Sequence, residues 1–256
     1  IYAAAAFLNL GSTKAPQTYW VSTAPDETVV FDLGESKTFE MLYYGGIHWN
    51  DVRFSVELSE DSETWTHPDS DTPYPAKMTY GDLYKWMYLV HANVYGDNAS
   101  YTAEPRTLSA RYIRLTAGAI GLTLYEVVFR DPDTKTPYEV VKVADSLNQY
   151  DARLLTDESD TLEGEPGWFN GMYFDEIYHA RTGYEHLHGL RTYETTHPPL
   201  GKVFISWCIG IFGMTPFGWR FAGTLAGVMM LPAIYLIARR LFRRRWLAPF
   251  SLALLL

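Results

Sequence analysis

The residues best suited to chemistry lie in two short motifs in the last third of the chain. The first is Tyr173-Phe174-Asp175-Glu176-Ile177-Tyr178-His179, and the second is Thr196-His197-Pro198-Pro199-Leu200-Gly201-Lys202. Carboxylates serve proton transfer, and imidazoles and cations stabilise negatively charged substrates. The candidate site is therefore drawn from six ionisable residues: Asp175, Glu176, His179, Arg181, His197 and Lys202.

These motifs stand directly before the sequence becomes apolar. Ionisable groups are costly to hold where water is scarce, so groups placed at the edge of a membrane segment indicate a function. Chemistry on a lipid-borne, anionic substrate is one function that would require them. The elements that position these residues must therefore include both a water-facing domain and a membrane region.

Charge is divided unevenly along the 256 residues, which carry a net charge of −9 and a mean hydropathy of −0.14. From Pro199 onward there are seven cations and no acid, which leaves 14 of the 21 cations against all 30 acids. This division is typical of an acidic external domain followed by membrane. The acidic part argues against nucleic acid as a partner. With Cys208 as the single cysteine, no disulfide framework is predicted.

Both ends of the chain look cut. It begins at Ile1 rather than at a methionine, and it stops within the apolar run 246–256. Residues 1–8 are too few to span a bilayer and are either the tail of a preceding helix or a first strand. We expect the chain to be a fragment of a larger membrane protein.

Residues 1–131 carry the pattern of short β-strands. Val52, Phe54, Val56 and Leu58 alternate with polar side chains, as in a strand with one buried face. The other predicted strands, rich in β-branched and aromatic residues, are 28–33, 37–44, 111–116 and 122–129. Glycine, serine and acidic turn segments separate them, which predicts an all-β sandwich or jelly roll.

Three motifs of this region resemble the discoidin, or coagulation factor 5/8 type C, domain. They are Asn9-Leu10-Gly11-Ser12, Val56-Glu57-Leu58-Ser59-Glu60-Asp61 with Trp65, and Ala110-Arg111-Tyr112-Ile113-Arg114-Leu115. The resemblance implies an eight-stranded jelly roll, in a family whose members often bind carbohydrate or lipid through loops at one end. The motifs are core strands and turns, so they indicate the fold rather than a ligand.

An acidic connector with proline and glycine is predicted at 132–170, followed by the membrane region 171–256. A helix should run from Asp175 to His188 and end at Gly189. The apolar run after Arg220 is long enough to span a bilayer, whereas the run after Lys202 is short and contains glycine and proline.

The arginines fix the expected topology. Five arginines fall within 239–245, which the positive-inside rule assigns to the cytoplasm, so the acidic domain and the site are expected outside. Residues 217–242 would then cross the membrane, 203–213 would lie along the outer face within the loop helices 171–216, and 246–256 would begin the return crossing of a multi-pass protein.

Each candidate residue also has a purely structural interpretation. Asp175 and Glu176 suit the N-terminus of a helix, where carboxylates cap amide groups and complement the dipole. His186 and His188 are typical of an interfacial helix end. His197 before two prolines suits an extended turn, since residues that precede proline avoid helical geometry.

The region from Trp168 onward resembles the protein O-mannosyltransferases, the polyprenyl- or dolichyl-phosphate-mannose-dependent branch of the GT-C glycosyltransferases. Three motifs carry the resemblance in order: Phe174-Asp175-Glu176, His197 to Lys202, and Pro216-Phe217-Gly218-Trp219-Arg220. It implies a multi-pass enzyme with the discoidin domain inserted in its first external loop. It also implies that Asp175 is the catalytic base. Negative charge developing on a phosphate leaving group needs cations, for which His197, Lys202 and Arg181 are the candidates. Glu176 is expected to orient its neighbours or the sugar, and a single displacement predicts inversion at the anomeric carbon.

Two departures from the family pattern leave the sugar and the acceptor open. Many mannosyltransferases have an acid just before His-Pro-Pro, where this chain has Thr195-Thr196, and Tyr178 occupies a position that is sometimes basic. The related lipid-A aminoarabinose transferases share the acidic loop and the Pro-Pro turn but use another donor. The expected partners are a polyprenyl-phosphate sugar, a protein or glycan acceptor and the membrane.

Two other classes of function compete with the transferase. A metal site, hydrolytic or assisting transfer, would use Asp175, His179, His186 and His188, although HExxH spacing is missing. A membrane-anchored adhesion or sugar-binding protein would use exposed aromatic rings, for which the candidates are Trp20, Tyr43, Tyr44, Trp49 and Trp86. An anchor alone would not need the Asp175 and His197 motifs.

Overall fold

The structure is a computed structural model that describes residues 2–48, 52–68, 76–78, 83–89, 105–147, 152–242 and 246–253. The chain forms two compact units. The β unit comprises Lys14–Ile177, and the helical unit comprises Ile1–Thr13 together with Tyr178–Leu256. The two units are described separately.

The β unit is an antiparallel sandwich in which one long strand is shared. Its strands are β1 (Trp20–Val21), β2 (Thr28–Gly45), β3 (Val52–Ser59), β4 (Ala76–Met78), β5 (Trp86–Tyr88), β6 (Thr107–Ala117), β7 (Thr123–Arg130) and β8 (Lys142–Asp145). The first part of β2 pairs with β6 and β8, and its last part pairs with β7 and β5. Strand β6 also pairs with β3, which pairs with β4, and β7 also pairs with β1.

Strand β2 passes from β6 to β7 at Glu40, and its register with β6 shifts between Asp32 and Lys37. Gly34 has a φ of 82° there, a left-handed conformation that glycine adopts without strain. The core between the layers is filled by alternating residues of the strands, among them Phe31, Phe54 and Phe129. The predicted fold class, an all-β unit followed by a helical region, is confirmed, and every predicted strand lies within or overlaps an observed one.

The part expected to be a connector contributes to the β unit. Strand β8 pairs with β2, and Trp20 donates a hydrogen bond from Nε1 to Oδ2 of Asp145 at 2.8 Å. Ala152 and Leu155, in a 3₁₀ turn, are buried in the core cluster. The β unit thus extends from Lys14 to Ile177, whereas the sequence predicted a β domain at 1–131 and a separate connector at 132–170.

Strand β7 carries a buried carboxyl group. Glu126 is fully buried, and its Oε2 accepts a hydrogen bond from the backbone N–H of Glu158 at 3.2 Å. Burial, together with the charges of Asp157, Glu158 and Asp160, raises the pKa of Glu126 to about 9. The folded β unit therefore holds a proton that the unfolded chain releases near pH 4.3.

Because the folded state keeps this proton, we expect the free energy of unfolding of the β unit to fall as the pH rises from about 4.5 to 9. In that window the folded state binds more protons than the unfolded state, so each pH unit costs up to about 1.4 kcal/mol. We expect Glu126→Gln to remove this slope and to be more stable than the wild type at pH 7, by on the order of 3 kcal/mol. The pH slope of the unfolding free energy is measured by urea unfolding at pH 5 to 8, monitored by near-UV circular dichroism. Glu139→Gln, at an exposed position, is the control. An unchanged slope in Glu126→Gln would contradict the assignment.

Five helices are found among the described residues of the helical unit. They are α1 (Tyr2–Phe7), α2 (Glu176–Leu187), α3 (Pro199–Phe212), α4 (Pro216–Leu241) and α5 (Leu247–Ala253), with the first two residues of α2 assigned to the β unit. Helix α2 matches the predicted helix closely, and Gly189 beyond its end has a φ of 64°. The segment 1–8 was left open between the tail of a helix and a strand. Its residues Tyr2–Phe7 form helix α1, and the Phe7 ring lies 5.0 Å from that of Phe221.

The Pro216-Phe217-Gly218-Trp219-Arg220 motif forms the start of α4. Thr215 caps the helix by accepting a hydrogen bond from the N–H of Gly218 at 3.0 Å. A Cβ at Gly218 would lie only 2.4 Å from the carbonyl oxygen of Gly213, so this close approach requires glycine. Arg220 donates to the carbonyl of Leu10 at 3.0 Å, which ties the start of α4 to the first residues of the chain.

Among the described residues, α4 is the one helix long and apolar enough to cross a membrane by length and composition. It has 26 residues, and apolar side chains on its surface, such as Met229 and Leu236, are more than half exposed. Helix α3 is apolar but has only 14 residues. Arg239 and Arg240 lie in the last turn of α4, whereas Arg243, Arg244 and Arg245 fall outside the described residues.

Candidate functional site

The two acids of the first motif have different surroundings. Oε2 of Glu176 accepts a hydrogen bond from the backbone N–H of Tyr173 at 3.1 Å, which closes the turn that begins α2. The side chain of Asp175 is exposed, and no hydrogen bond to it is found among the described residues. The capping role expected for the acidic pair thus belongs to Glu176, and the carboxylate of Asp175 faces solvent.

Backbone strain marks the position directly before Asp175. Phe174 has a φ of 47°, in the left-handed region that bulky side chains rarely occupy. Its ring is 71% exposed, so burial of the ring does not compensate for the strain. Strained residues of this kind cluster at functional sites, where the surrounding structure holds them.

The chain is fixed to the β unit just before this strained residue. Met172 donates from its backbone N–H to the carbonyl of Tyr84 at 3.0 Å. The preceding residue, Gly171, lies so close to Lys85 that a Cβ there would approach the Cβ of Lys85 to 2.6 Å. Asp175 therefore follows a backbone segment that is anchored only three residues earlier.

In the helical unit, Arg181 is fully buried and its charge is matched within the same helix. Its Nε donates to Oε1 of Glu185 at 2.8 Å, one turn further along α2. The guanidinium group also stacks on the ring of Tyr193 at 4.2 Å, and the N–H of Tyr193 donates to Oε2 of Glu185 at 2.7 Å. Arg181 therefore links α2 to the segment that leads to the second motif.

Lys202 is also buried and paired. It is 2% exposed, and its ammonium group donates to the carboxylate of Glu194 and, at 3.0 Å, to the carbonyl of the same residue. Hydrogen bonds from Lys202 and Thr196 hold the pKa of Glu194 well below its ordinary value. A buried ammonium group requires such a partner, so the pair fixes the turn between Glu194 and α3.

His197 belongs to the same cluster. Its backbone N–H donates to Oε1 of Glu194 at 3.1 Å, and its ring Nδ1 lies 3.2 Å from the same oxygen. The rings of His179 and His197 are 5.2 Å apart. The side chain of His197 is 58% exposed, so Glu194 orients an imidazole that is open to solvent.

Four of the predicted residues are thus placed in the helical unit, where His179 contacts His197 and the two buried cations are each paired with a carboxylate. Asp175 and Glu176 belong to the β unit. Sequence reasoning missed Glu194. Its signal was an acid three residues before His197, at a spacing that lets a carboxylate fold back onto the turn.

The residues of the competing functions have other surroundings. His188 is exposed and packs against Tyr184, with the ring centroids 4.2 Å apart. Within the described part of the chain, no group of three His, Cys, Asp or Glu side chains is arranged to hold a metal ion. Trp20, Tyr43, Tyr44 and Trp86 are buried, as core aromatics are, so none of these four candidates is an exposed sugar-stacking ring. Trp49 lies outside the described residues.

Comparison with curated proteins finds partial relatives with a common name. The chain is 38% identical over 76 residues to "Polyprenol-phosphate-mannose--protein mannosyltransferase" of Mycobacterium tuberculosis. This match covers 27% of this chain and 15% of the relative. The chain is 34% identical over 97 residues to the protein of that name from Mycolicibacterium smegmatis, which covers 36% and 18%. The matches therefore span less than a fifth of these relatives.

Comparison with solved structures finds carbohydrate-binding modules. A pectin-binding module is 13% identical with a TM-score of 0.33, covering 49% of this chain and 80% of that one. A CBM32 module produced by Clostridium perfringens is 17% identical with a TM-score of 0.30, covering 48% and 82%. No family model matches the chain.

Proposed function

We propose that this chain is part of a membrane glycosyltransferase that moves mannose from a polyprenyl-phosphate carrier to a serine or threonine hydroxyl of a protein. The name of the partial relatives supports the donor and the acceptor. One observation carries the chemistry: Asp175 presents an exposed carboxylate at the start of α2 while Glu176 closes the turn. A carboxylate that is not used as a cap is available to react.

Asp175 is the base in this mechanism. It accepts the proton of the acceptor hydroxyl as that oxygen forms a bond to the anomeric carbon of mannose. The bond between this carbon and the phosphate oxygen breaks at the same time, and the polyprenyl phosphate leaves with the electron pair. A single displacement of this kind inverts the configuration of the anomeric carbon.

The imidazoles stabilise the leaving phosphate. His197 is exposed and oriented by Glu194, and His179 contacts it, so both rings can donate to phosphate oxygens. Arg181 and Lys202, which were expected to bind phosphate directly, are buried in ion pairs. We assign them to positioning instead: Lys202 holds the turn that carries His197, and Arg181 holds the segment before it.

The membrane is the source of the donor. Helix α4 crosses it in this proposal, with the arginines 239–245 in the cytoplasm and the β unit outside. The acceptor hydroxyl then arrives from the aqueous side. Labelling of cysteines introduced at Asp133 and Arg240 tests the sidedness, since only the first is expected to react with an impermeant reagent in intact cells.

Transfer by the full-length protein in membrane vesicles tests the function. The donors are polyprenyl phosphates that carry mannose, glucose or aminoarabinose, and the acceptor is a peptide rich in serine and threonine. Mannosylation of the peptide, with inverted configuration, is expected. Transfer from aminoarabinose alone would move the enzyme to the other transferase class, and no transfer from any donor would overturn the proposal.

Replacement of His197 separates phosphate stabilisation from structure. We expect His197→Gln to lower kcat by about 10- to 100-fold, because one charge-stabilising donor to the leaving group is lost. His186→Gln, at an exposed position of α2, is the matched control and should retain full activity. Equal activity of the two variants would remove His197 from the mechanism.

A further inference from the structure

A buried asparagine ties together the loop that precedes Asp175. Asn170 is 1% exposed. Its Nδ2 donates to the carbonyls of Glu163 and Glu165, each at 3.0 Å, and its Oδ1 accepts from the N–H of Gly167 at 2.9 Å. Residues 163–172 thus form a closed loop, which we term the anchor loop, built around one side chain that uses three of its hydrogen-bonding positions.

The sandwich holds the anchor loop through a second buried residue. Arg130, at the end of β7, donates to Oε2 of Glu165 at 2.7 Å and to the carbonyl of Gly164 at 3.3 Å. It also donates to Glu40 of β2 at 3.0 Å, and its side chain is 1% exposed. The hydroxyl of Tyr88, on β5, donates to the same oxygen of Glu165. Three strands therefore converge on one end of the loop.

The other end of the anchor loop leads directly to Asp175. Met172 donates to the carbonyl of Tyr84, and Gly171 packs against Lys85, as described above. Three further residues reach at most about 10 Å along the chain. Glu176 then closes the turn on Tyr173, so the backbone around Asp175 is restrained on both sides by contacts within the β unit.

We propose that Asn170 and Arg130 are positioning residues for Asp175, so that the β sandwich sets the geometry of the catalytic base. The inference rests on the proposed function of Asp175. A shift of about 1 Å in a reacting group can cost 100-fold in rate, even when the change arises far from the chemistry. The sandwich therefore has a role in catalysis that does not depend on its binding any glycan.

The test replaces the two donors of Asn170 while keeping its shape. In Asn170→Asp the oxygen that accepts from Gly167 remains, but the group facing the carbonyls of Glu163 and Glu165 no longer donates. We expect kcat for mannosyl transfer by the full-length protein to fall at least tenfold, with the KM values for donor and acceptor unchanged within twofold. Loss of binding would instead raise KM.

Two further variants keep the test decisive. Glu165→Gln weakens the link to Arg130 at a half-exposed position, so the fold should survive, and kcat is expected to fall severalfold. Ser22→Ala removes two hydrogen bonds of the sandwich that do not involve the anchor loop: one donated to the carbonyl of Ala119 and one accepted from the N–H of Leu122. This control should lose stability but keep its kcat.

The possible results separate this inference from the proposed function. If the wild type transfers mannose and kcat is unchanged in both Asn170→Asp and Glu165→Gln, positioning by the anchor loop is overturned and the function stands. If Ser22→Ala lowers kcat as much as Asn170→Asp at equal loss of stability, the anchor loop is merely structural and the inference is again overturned. If the wild type transfers no sugar from any donor, the proposed function itself has failed.

Discussion

Replacing Asp175 with asparagine is expected to lower kcat for mannosyl transfer by about 10²- to 10⁴-fold, the range typical of a lost general base. Asparagine has nearly the same shape, but its amide cannot accept the proton of the attacking hydroxyl. Because the side chain of Asp175 is exposed and caps no helix, the substitution should leave the fold intact. Initial rates with polyprenyl-phosphate-mannose and a serine-rich peptide measure the effect.

Two controls accompany this variant. Asp133→Asn changes the same chemical group at an exposed position of the β unit and should have no effect. Glu176→Gln keeps an oxygen that can accept from the N–H of Tyr173, so it should lose much less activity than Asp175→Asn. Transfer that continues undiminished in Asp175→Asn would show that another group is the base.

The strands were predictable because burial on one face leaves a period of two in the sequence. Val52 to Leu58 shows it, and the structure has a strand over Val52–Ser59 paired with β6. Helix α2 was predictable from its acidic start and its glycine end. These features are local, so a single sequence contains the information that specifies them.

The connector was misjudged because its contacts are not local. Strand β8 has only four residues, too few to show a period, and it exists because β2 offers an unpaired edge more than 100 residues earlier. The acidic residues that suggested a solvated linker have partners in the fold, since Asp145 accepts from Trp20 and Glu165 accepts from Arg130. Composition alone does not distinguish a paired acid from a free one.

The site was predictable in its residue types but not in its pairings. Arg181 and Lys202 were predicted to bind a substrate phosphate, and the structure gives each a carboxylate of its own. Arg181 and Glu185 have the i, i+4 spacing of a helical ion pair, so that pair was readable. Glu194 and Lys202 are eight residues apart across a turn, and no periodic pattern marks such a pair.

The buried pair in α2 predicts a large loss of stability when only one partner is removed. In Glu185→Gln the charge of Arg181 stays buried without its carboxylate, which costs about 3–5 kcal/mol for pairs of this kind. Reversible unfolding of the full-length protein in mixed micelles measures the free energy. Asp160→Asn is the matched control, because it breaks an exposed pair with Lys14 that is worth about 0–1 kcal/mol.

A double variant distinguishes an uncompensated charge from lost packing. In Arg181→Met combined with Glu185→Leu both charges are gone, and the apolar side chains fill a similar volume, so most of the stability lost in Glu185→Gln should return. Arg181 and Glu185 hold the segment before His197 through Tyr193, so the double variant should still lose mannosyl transfer although its stability returns. A double variant that is stable and fully active would overturn the assignment of Arg181 as a positioning residue.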